Sequence, residues 1–387
     1  MHFGQKRCRR QIIVLILRIV VCDSFFFKMK SFSRKLIIYI GTLQSGGAER
    51  VVSEISAMYA DHFEEVVILT YYDAPVFYSI DTRVRIECIE RITGTENKLK
   101  NALWLRRFVK REKPDVFLSF LMPFNMMAIA SLLFSQTKIV VCERQDPSDV
   151  KTPLLRIIRN FLYHFCTRIE VQTLKAKNYF SRSLQKKITI IPNPNHIKLE
   201  EREYALNSTK EKKVAIVGRL IPLKNHKMLI NAFSRVINIH ADYHLDIYGD
   251  GEMYKALDNQ IRQLGVTESV KLHGRTDNVP EALASARIFV LCSNVEGMPN
   301  ALMEAMALGI PCIATDVSGV RDIIDDGENG FIIPVGNQKA LEDRLMQLMD
   351  SEYLQDCFSR KSISVMEKFD KRRIFEQWMN LVTFEKD

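Results

Sequence analysis

Two glutamates, Glu296 and Glu304, stand with seven residues between them in the segment Cys292–Asp316, CSNVEGMPNALMEAMALGIPCIATD. A helix start falls between them. Pro299 suits the first helical position, and Gly309 with Pro311 reads as a stop, which predicts a short helix over Asn300–Leu308. Ala301, Leu302, Ala305, Met306 and Leu308 give that helix a side to bury. Its N-terminus offers unpaired N–H groups and the positive end of a dipole, a setting for a phosphate or a sugar oxygen. Carboxylates on either side of such a site are suited to gripping the hydroxyls of a sugar and of a ribose. The plain alternative is a capped surface helix with two solvated glutamates, and the surrounding sequence argues against it.

Two further groups fit an anionic ligand. Arg219 and Lys224 follow the apolar run KVAIVG, and a guanidinium fork and an ammonium are natural partners of a diphosphate. Gly46 and Gly47 lie between an apolar run and a helical stretch, where glycine lets the backbone approach a phosphate closely. Neither the GxGxxG fingerprint of dinucleotide sites nor the GxxxxGK[ST] phosphate loop is present, so no nicotinamide cofactor is implied. Asp250, within GDG, reads as a turn residue after a strand. Nothing in the sequence has metal-ligand spacing, so the expectation is no metal and no bound cofactor.

The elements that must position these residues read as buried strands alternating with helices. Lys35–Ile40, Val66–Thr70, Val116–Phe120 and Lys138–Cys142 are short apolar runs, and the pattern restarts after Pro192–Pro194 with Val214–Val217, Leu245–Tyr248, Val270–His273, Phe289–Cys292 and Cys312–Thr315. That alternation predicts two consecutive doubly wound α/β domains with a Pro/Asn-rich hinge and a ligand cleft at the carboxyl ends of the strands. The expected boundaries are 34–194 for the first domain, 195–369 for the second and 370–387 for a terminal helix. In that helix Ile374, Phe375, Trp378, Leu381 and Val382 share one face.

At 387 residues the chain exceeds one average core. Residues 1–200 carry 32 Lys/Arg against 18 Asp/Glu and residues 201–387 carry 23 against 28, which leaves the overall +9. An excess confined to one half argues against a general polyanion binder, so no nucleic acid partner is expected. Eight cysteines without a CxxC or Cys/His cluster suggest reduced thiols in the cytoplasm. Asn97–Lys113 predicts a basic amphipathic helix with seven Lys/Arg and one Glu, its apolar side formed by Leu99, Leu103, Trp104, Phe108 and Val109; Leu154–Arg168 is a second basic/apolar stretch. Such helices either cover the sheet or lie on an anionic membrane surface. Residues 1–33 form a basic and apolar extension. Its apolar stretch Ile12–Cys22 is short, is broken by Arg18 and is followed by no small-residue cleavage site. Met29 opens MKSFSRKLIIYIG, so 1–28 is read as an upstream-start artefact or a basic tail, with a membrane anchor as the less favoured reading.

The segment Glu296–Glu304 resembles the paired-glutamate motif of the retaining glycosyltransferases of family 4, which have the GT-B fold. Further stretches stand in the order that family requires: SGGAERVV at 45–52, IIPNPN at 190–195, VGRLIPLK at 217–224, IYGDGE at 247–252, LHGRTDNVPEAL at 272–283 and DDGENGFIIP at 325–334. The resemblance covers about 39 to 335. It implies that the donor is a nucleotide sugar, a UDP-sugar for preference, with Glu304 on the ribose hydroxyls and Glu296 on the transferred sugar. Gly297, Met298, Pro299, Asn300, Ala301 and Leu302 would approach sugar and phosphate, Arg219 and Lys224 would hold the diphosphate together with the Gly46–Gly47 loop, and His273 would line the base pocket. It also implies that the terminal helix crosses back to the first domain. One departure matters: many members carry a histidine after a PDV-type segment, whereas PDVFLSFLMPFN at 114–125 offers Leu118 and Phe120. A general base from that loop is therefore not expected, which fits a front-face retaining reaction. Asn125, Glu143 and Arg144 are candidates for shaping the acceptor side. The acceptor implied is a glycan or a polyprenyl-diphosphate-linked saccharide of a bacterial surface polymer such as lipopolysaccharide or capsule, met by a cytoplasmic enzyme peripheral to the membrane. A nucleotide-sugar epimerase of the same fold and an inactive sugar-nucleotide-binding protein are the alternatives.

Overall fold

A computed structural model describes residues 35–384; the expectations for 1–33 lie outside the described residues. The first sheet is built from runs such as KLIIYI and VFLSF, which are apolar at successive positions because a parallel sheet is covered on both faces. Its seven strands are β1 (Lys35–Ile40), β2 (Glu65–Thr70), β3 (Arg85–Cys88), β4 (Val116–Phe120), β5 (Lys138–Glu143), β6 (Arg168–Val171) and β7 (Ile188–Ile190). All pair in parallel in the order β3-β2-β1-β4-β5-β6-β7. The second sheet has β8 (Lys213–Val217), β9 (His244–Tyr248), β10 (Val270–Gly274), β11 (Ile288–Leu291), β12 (Cys312–Thr315) and β13 (Phe331–Ile333), parallel in the order β10-β9-β8-β11-β12-β13. In both sheets the order reverses beside the first strand in the chain, which opens a crevice at the carboxyl ends.

The helices that matter to the site are α1 (Gly47–Ala60), α2 (Lys98–Glu112), α3 (Met122–Leu132), α4 (Pro153–Tyr163), α5 (His226–Val236), α6 (Asn300–Ala307) and α7 (Lys371–Val382). Helix α7 returns from the second unit to the first. Its Ile374, Trp378, Leu381 and Val382 are buried in the core that also holds Leu36, Ile38, Val52, Tyr59 and Phe120. Trp378 stacks on Phe120 with ring centroids 5.8 Å apart, and the Tyr59 hydroxyl donates to its carbonyl oxygen at 2.9 Å. Truncating so large a buried side chain to Ala costs roughly 3–5 kcal/mol, so α7 is a fastening rather than a decoration.

Helix α2 differs from its expected amphipathic pattern. Its buried positions are Asn101, Leu105, Phe108 and Val109, while Leu99 and Leu103 are exposed. The apolar side is therefore split, with one stripe toward the sheet and a second outward. The reason is in the register of the helix: Asn101 takes the inward place of an apolar residue, donating to the Thr95 carbonyl at 2.9 Å and to the Tyr71 hydroxyl at 3.1 Å.

Candidate active site

The second sheet presents its charged residues along one edge of the crevice. Helix α6 starts one residue after Pro299, with Glu296 in the loop before it and Glu304 a little over one turn into it. Lys224 Nζ lies 2.5 Å from Glu296 Oε1, and the Ser293 hydroxyl donates to the same oxygen at 2.7 Å. Arg219 is exposed at the end of β8, where the loop 218–225 begins. That loop depends on a close backbone crossing. A Cβ on Gly249, which has φ +153°, would meet the Gly218 carbonyl oxygen at 1.9 Å. Asp250 turns the chain there, its carboxylate accepting from the Gly251 N–H at 2.7 Å and its carbonyl from Leu220.

The first unit meets that edge with α1. Arg50 reaches across the crevice so that its Nη1 lies 2.9 Å from Glu304 Oε1. The neighbouring Glu49 has its carboxyl raised by burial, an effect partly offset by its own backbone N–H and by the charge of Arg219. Arg50 thus meets a glutamate across the crevice, with Glu49 within the field of an arginine. Gly47, the first residue of α1, has the Asn300 amide 3.6 Å from where a Cβ would stand, and Arg275 lies over the Phe77 ring at 4.2 Å. Sequence reasoning quoted the SGGAER stretch for its glycines and passed over Glu49 and Arg50; the signal available was two adjacent opposite charges in the first turn of a helix pointing at an anion site.

The hinge supports the start of α6. Asn193 donates from its amide to the Met298 carbonyl at 3.2 Å and to Asn300 Oδ1 at 2.6 Å. Gly297 is pressed against the first unit, where a Cβ would lie 2.6 Å from the Arg144 carbonyl oxygen. Leu302 is fully buried in the core and Met298 nearly so, its sulfur accepting from the Asn193 N–H. The helix turns the Leu302 side chain inward, which leaves its backbone as the part that could meet the donor. His273 is held through its ring: Nε2 lies 2.9 Å from Asp246 Oδ1, and the ring stacks on Tyr248 at 4.7 Å.

Asn125, Glu143 and Arg144 correct a second expectation. All three are buried, with side chains spent on internal partners. Asn125 donates to the Cys142 carbonyl at 2.9 Å and to the Tyr163 hydroxyl at 3.2 Å, and Tyr163 donates to Glu143. Arg144 pairs with Glu170 at 2.7 Å, donates to Asn193 and lies over the Trp378 ring. Burial lifts the Glu170 carboxyl to about 7 against the pull of Arg144. These residues brace the strand ends from behind; they do not project into the crevice. The groups that line it on that side come slightly later. Asp146, Ser148, Asp149 and Lys175 of the first unit share a cavity of about 270 Å³ with Asn294, Val295, Glu296 and Asp316–Ser318 of the second.

The arrangement can bind a ligand with a dianionic centre and hydroxyls on both sides of it. Two cations and a helix N-terminus are poised for the centre, and two glutamates for the hydroxyls.

Comparison with known proteins agrees with the architecture. The sequence profile of Glycosyltransferase Family 4 matches residues 45–196, and that of Glycosyl transferases group 1 matches residues 198–364. The GalNAc-alpha-(1->4)-GalNAc-alpha-(1->3)-diNAcBac-PP-undecaprenol alpha-1,4-N-acetyl-D-galactosaminyltransferase of Campylobacter jejuni is 28% identical over 357 residues, covering 90% of this chain and 98% of its own. The amylovoran biosynthesis glycosyltransferase AmsD of Erwinia amylovora is 25% identical over 365 residues, covering 90% and 99%. Among solved structures, Anabaena HepE in complex with UDP-glucose superposes with a TM-score of 0.74 at 16% identity, over 90% of this chain and 99% of that one. TarM of S. aureus, bound to UDP, alpha-GlcNAc-glycerol and Fondaparinux, gives 0.74 at 15% identity, over 91% and 100%.

Proposed function

As the chain belongs to family 4 of the glycosyltransferases, we propose that it moves a hexose or N-acetylhexosamine from a nucleotide sugar to a saccharide carried on a lipid. The donor is a UDP-sugar for preference, and the anomeric configuration is retained. One observation carries this reading. Along the edge of the second sheet the site charges are paired with one another or across the crevice, as Lys224–Glu296 and Arg50–Glu304, and not with the protein interior.

Such pairs are exchangeable. A diphosphate takes Lys224 from Glu296, and the hydroxyls of the transferred sugar then occupy Glu296; ribose hydroxyls take Glu304 from Arg50. In the transfer itself the bond from the anomeric carbon to the phosphate oxygen breaks and negative charge grows on the leaving diphosphate. Arg219, Lys224 and the start of α6 compensate that charge, the contribution that dominates where no group forms a covalent intermediate. The acceptor hydroxyl attacks from the face the diphosphate leaves, and its proton passes to the departing phosphate oxygen. This chemistry asks no base of the 114–125 segment, where β4 carries Leu118 and Phe120. Metal-independence belongs to the same proposal.

The lipid-linked acceptor is supported by the Campylobacter relative, whose acceptor is an undecaprenol-diphosphate saccharide, and by the inter-unit cavity beside Glu296, whose carboxylates and hydroxyls suit a sugar. The test is nucleoside diphosphate release from a panel of nucleotide sugars with and without a bacterial lipid extract. Extract-dependent release from one donor supports the proposal; conversion of a donor to an isomer without extract replaces transfer with epimerisation.

A further inference from the structure

We propose that the outer face of the helix layer formed by α2, α3 and α4 docks onto an anionic bilayer surface, with α4 lying in the interface. The orientation of α4 carries the inference. A helix on the surface of a globular unit normally turns its apolar stripe inward. Here the stripe Leu154, Ile157, Ile158 and Phe161, at spacings of three and four, points outward: Leu154, Ile157 and Phe161 are 62–66% exposed, and Phe165 continues the line beyond the helix end.

The inward face of α4 is occupied by polar groups that the fold uses. Arg159 is fully buried, donates to the Pro147 carbonyl at 2.9 Å and lies over the Tyr179 and Phe180 rings. Tyr163 is fully buried between Asn125 and Glu143. With the inside committed to these two residues, the apolar residues have no interior to enter. The neighbouring helices extend the same surface. Helix α3, packed between α2 and α4, has no charged residue, and α2 adds the exposed Leu99 and Leu103.

The charge around the patch chooses the occupant. From Lys151 to Lys187 the chain has nine Lys/Arg, of which Arg159 is buried, and one acid, Glu170, which is buried too. Lys98, Lys100, Arg106, Arg107 and Lys110 add exposed positive charge on α2. A second copy of the chain would bring the same charge against itself, whereas an anionic lipid surface complements it while taking the apolar stripe. No helix among the described residues is long and apolar enough to cross a membrane, so the fit is to the interface.

The position of the patch also matters. Helix α4 begins four residues after Asp149, which lines the cavity beside Glu296. Docking through α4 therefore sets the crevice next to the headgroups, where a saccharide on a lipid carrier stands. Only this purpose rests on the transferase reading; the docking itself does not.

The test is flotation of the full-length protein with vesicles of phosphatidylcholine alone and of equimolar phosphatidylcholine and phosphatidylglycerol. Wild type is expected on the anionic vesicles, released by high salt, with Ile157→Glu/Phe161→Glu bound at least about tenfold more weakly and its affinity for UDP unchanged. A Phe161→Trp variant, read by quenching with brominated lipid over the background of Trp104 and Trp378, checks the contact without introducing charge. Equal flotation of wild type and the double variant, no quenching in the Phe161→Trp variant beyond that background, or a dimer that the double variant dissolves would overturn the proposal. Vesicle binding with no UDP affinity in the wild type would instead break the transferase reading and leave this one standing.

Discussion

The two units carry their charged residues in opposite ways. In the first, the strand ends are backed by a buried polar network in which Arg144, Glu170, Glu143, Tyr163, Asn125 and Asn193 hydrogen-bond to one another, while Arg144 Nε, Glu170 Oε2 and Asn125 Oδ1 have no partner among the described residues. In the second, the core is largely apolar, with Lys213 and Asp246 as a buried charged pair, and the site charges stand at the crevice in pairs with a partner that a ligand can replace. The difference separates a rigid wall from a binding edge. Buried charges hydrogen-bonded to one another cost stability when broken and offer little to a ligand, whereas pairs whose cation stays partly in solvent at the crevice are within a ligand's reach. Variants in the first unit should therefore move stability, and variants at the edge of the second should move binding and turnover.

The largest effect expected is on the wall. Trp378→Ala removes the indole that fastens α7 to the first unit and should lower unfolding free energy by roughly 3–5 kcal/mol in urea titration; a near-native midpoint would mean that α7 is not what secures the wall. Next comes Arg219→Ala, which should cut turnover by about two orders of magnitude, through lost stabilisation of the leaving diphosphate. Its midpoint should stay near wild type, because the side chain is exposed. A large loss of stability with normal turnover would reverse the comparison.

An intermediate effect tests the exception in the second unit. His226, at the start of α5, is buried, and neither ring nitrogen has a hydrogen-bond partner among the described residues. Burial, with the charge of Lys224, pushes its pKa down to about 4. A histidine depressed in the folded state contributes stability that is present above the unfolded value near 6.5 and is lost as pH falls toward 4. Wild type should therefore lose about 2 kcal/mol more than His226→Gln between pH 7 and pH 5; identical pH curves would show that the ring titrates alike in the folded and the unfolded chain and overturn the depressed value. The smallest effect is at the crossing. Arg50→Ala frees Glu304 and should tighten nucleotide binding by about tenfold or less, since a pair of which only Arg50 reaches solvent, at 30% exposure, is worth on the order of 1 kcal/mol net; weaker binding would make Arg50 a ligand contact in its own right.

Much of this was legible in the sequence where the signal is local. Runs such as KLIIYI and CIAT mark central parallel strands because both faces are covered, and Pro299 with Gly309 brackets α6 to within a residue. Strands β3, β6, β7 and β13 were not anticipated: RIEC is a short edge strand with exposed positions, RIEV carries the buried Glu170, and ITI and FII are three residues long. The direction in which a side chain leaves an element was the harder matter. Leu154, Ile157 and Phe161 look like core by spacing, yet the demands of Arg159 and Tyr163 turn them outward. The facing of Arg50 by Glu304 depends on how two units close on each other, over a separation of 254 residues, and no local pattern encodes that.

The central claim is that the edge of the second sheet is the nucleotide site. The most direct measurement is a crystal structure of the protein soaked with UDP. The expected result has ribose hydroxyls on Glu304, the diphosphate against Arg219, Lys224 and the first turn of α6, and the Arg50–Glu304 pair opened. Nucleotide seated on the first unit, or bound with Glu304 still paired to Arg50, would contradict it.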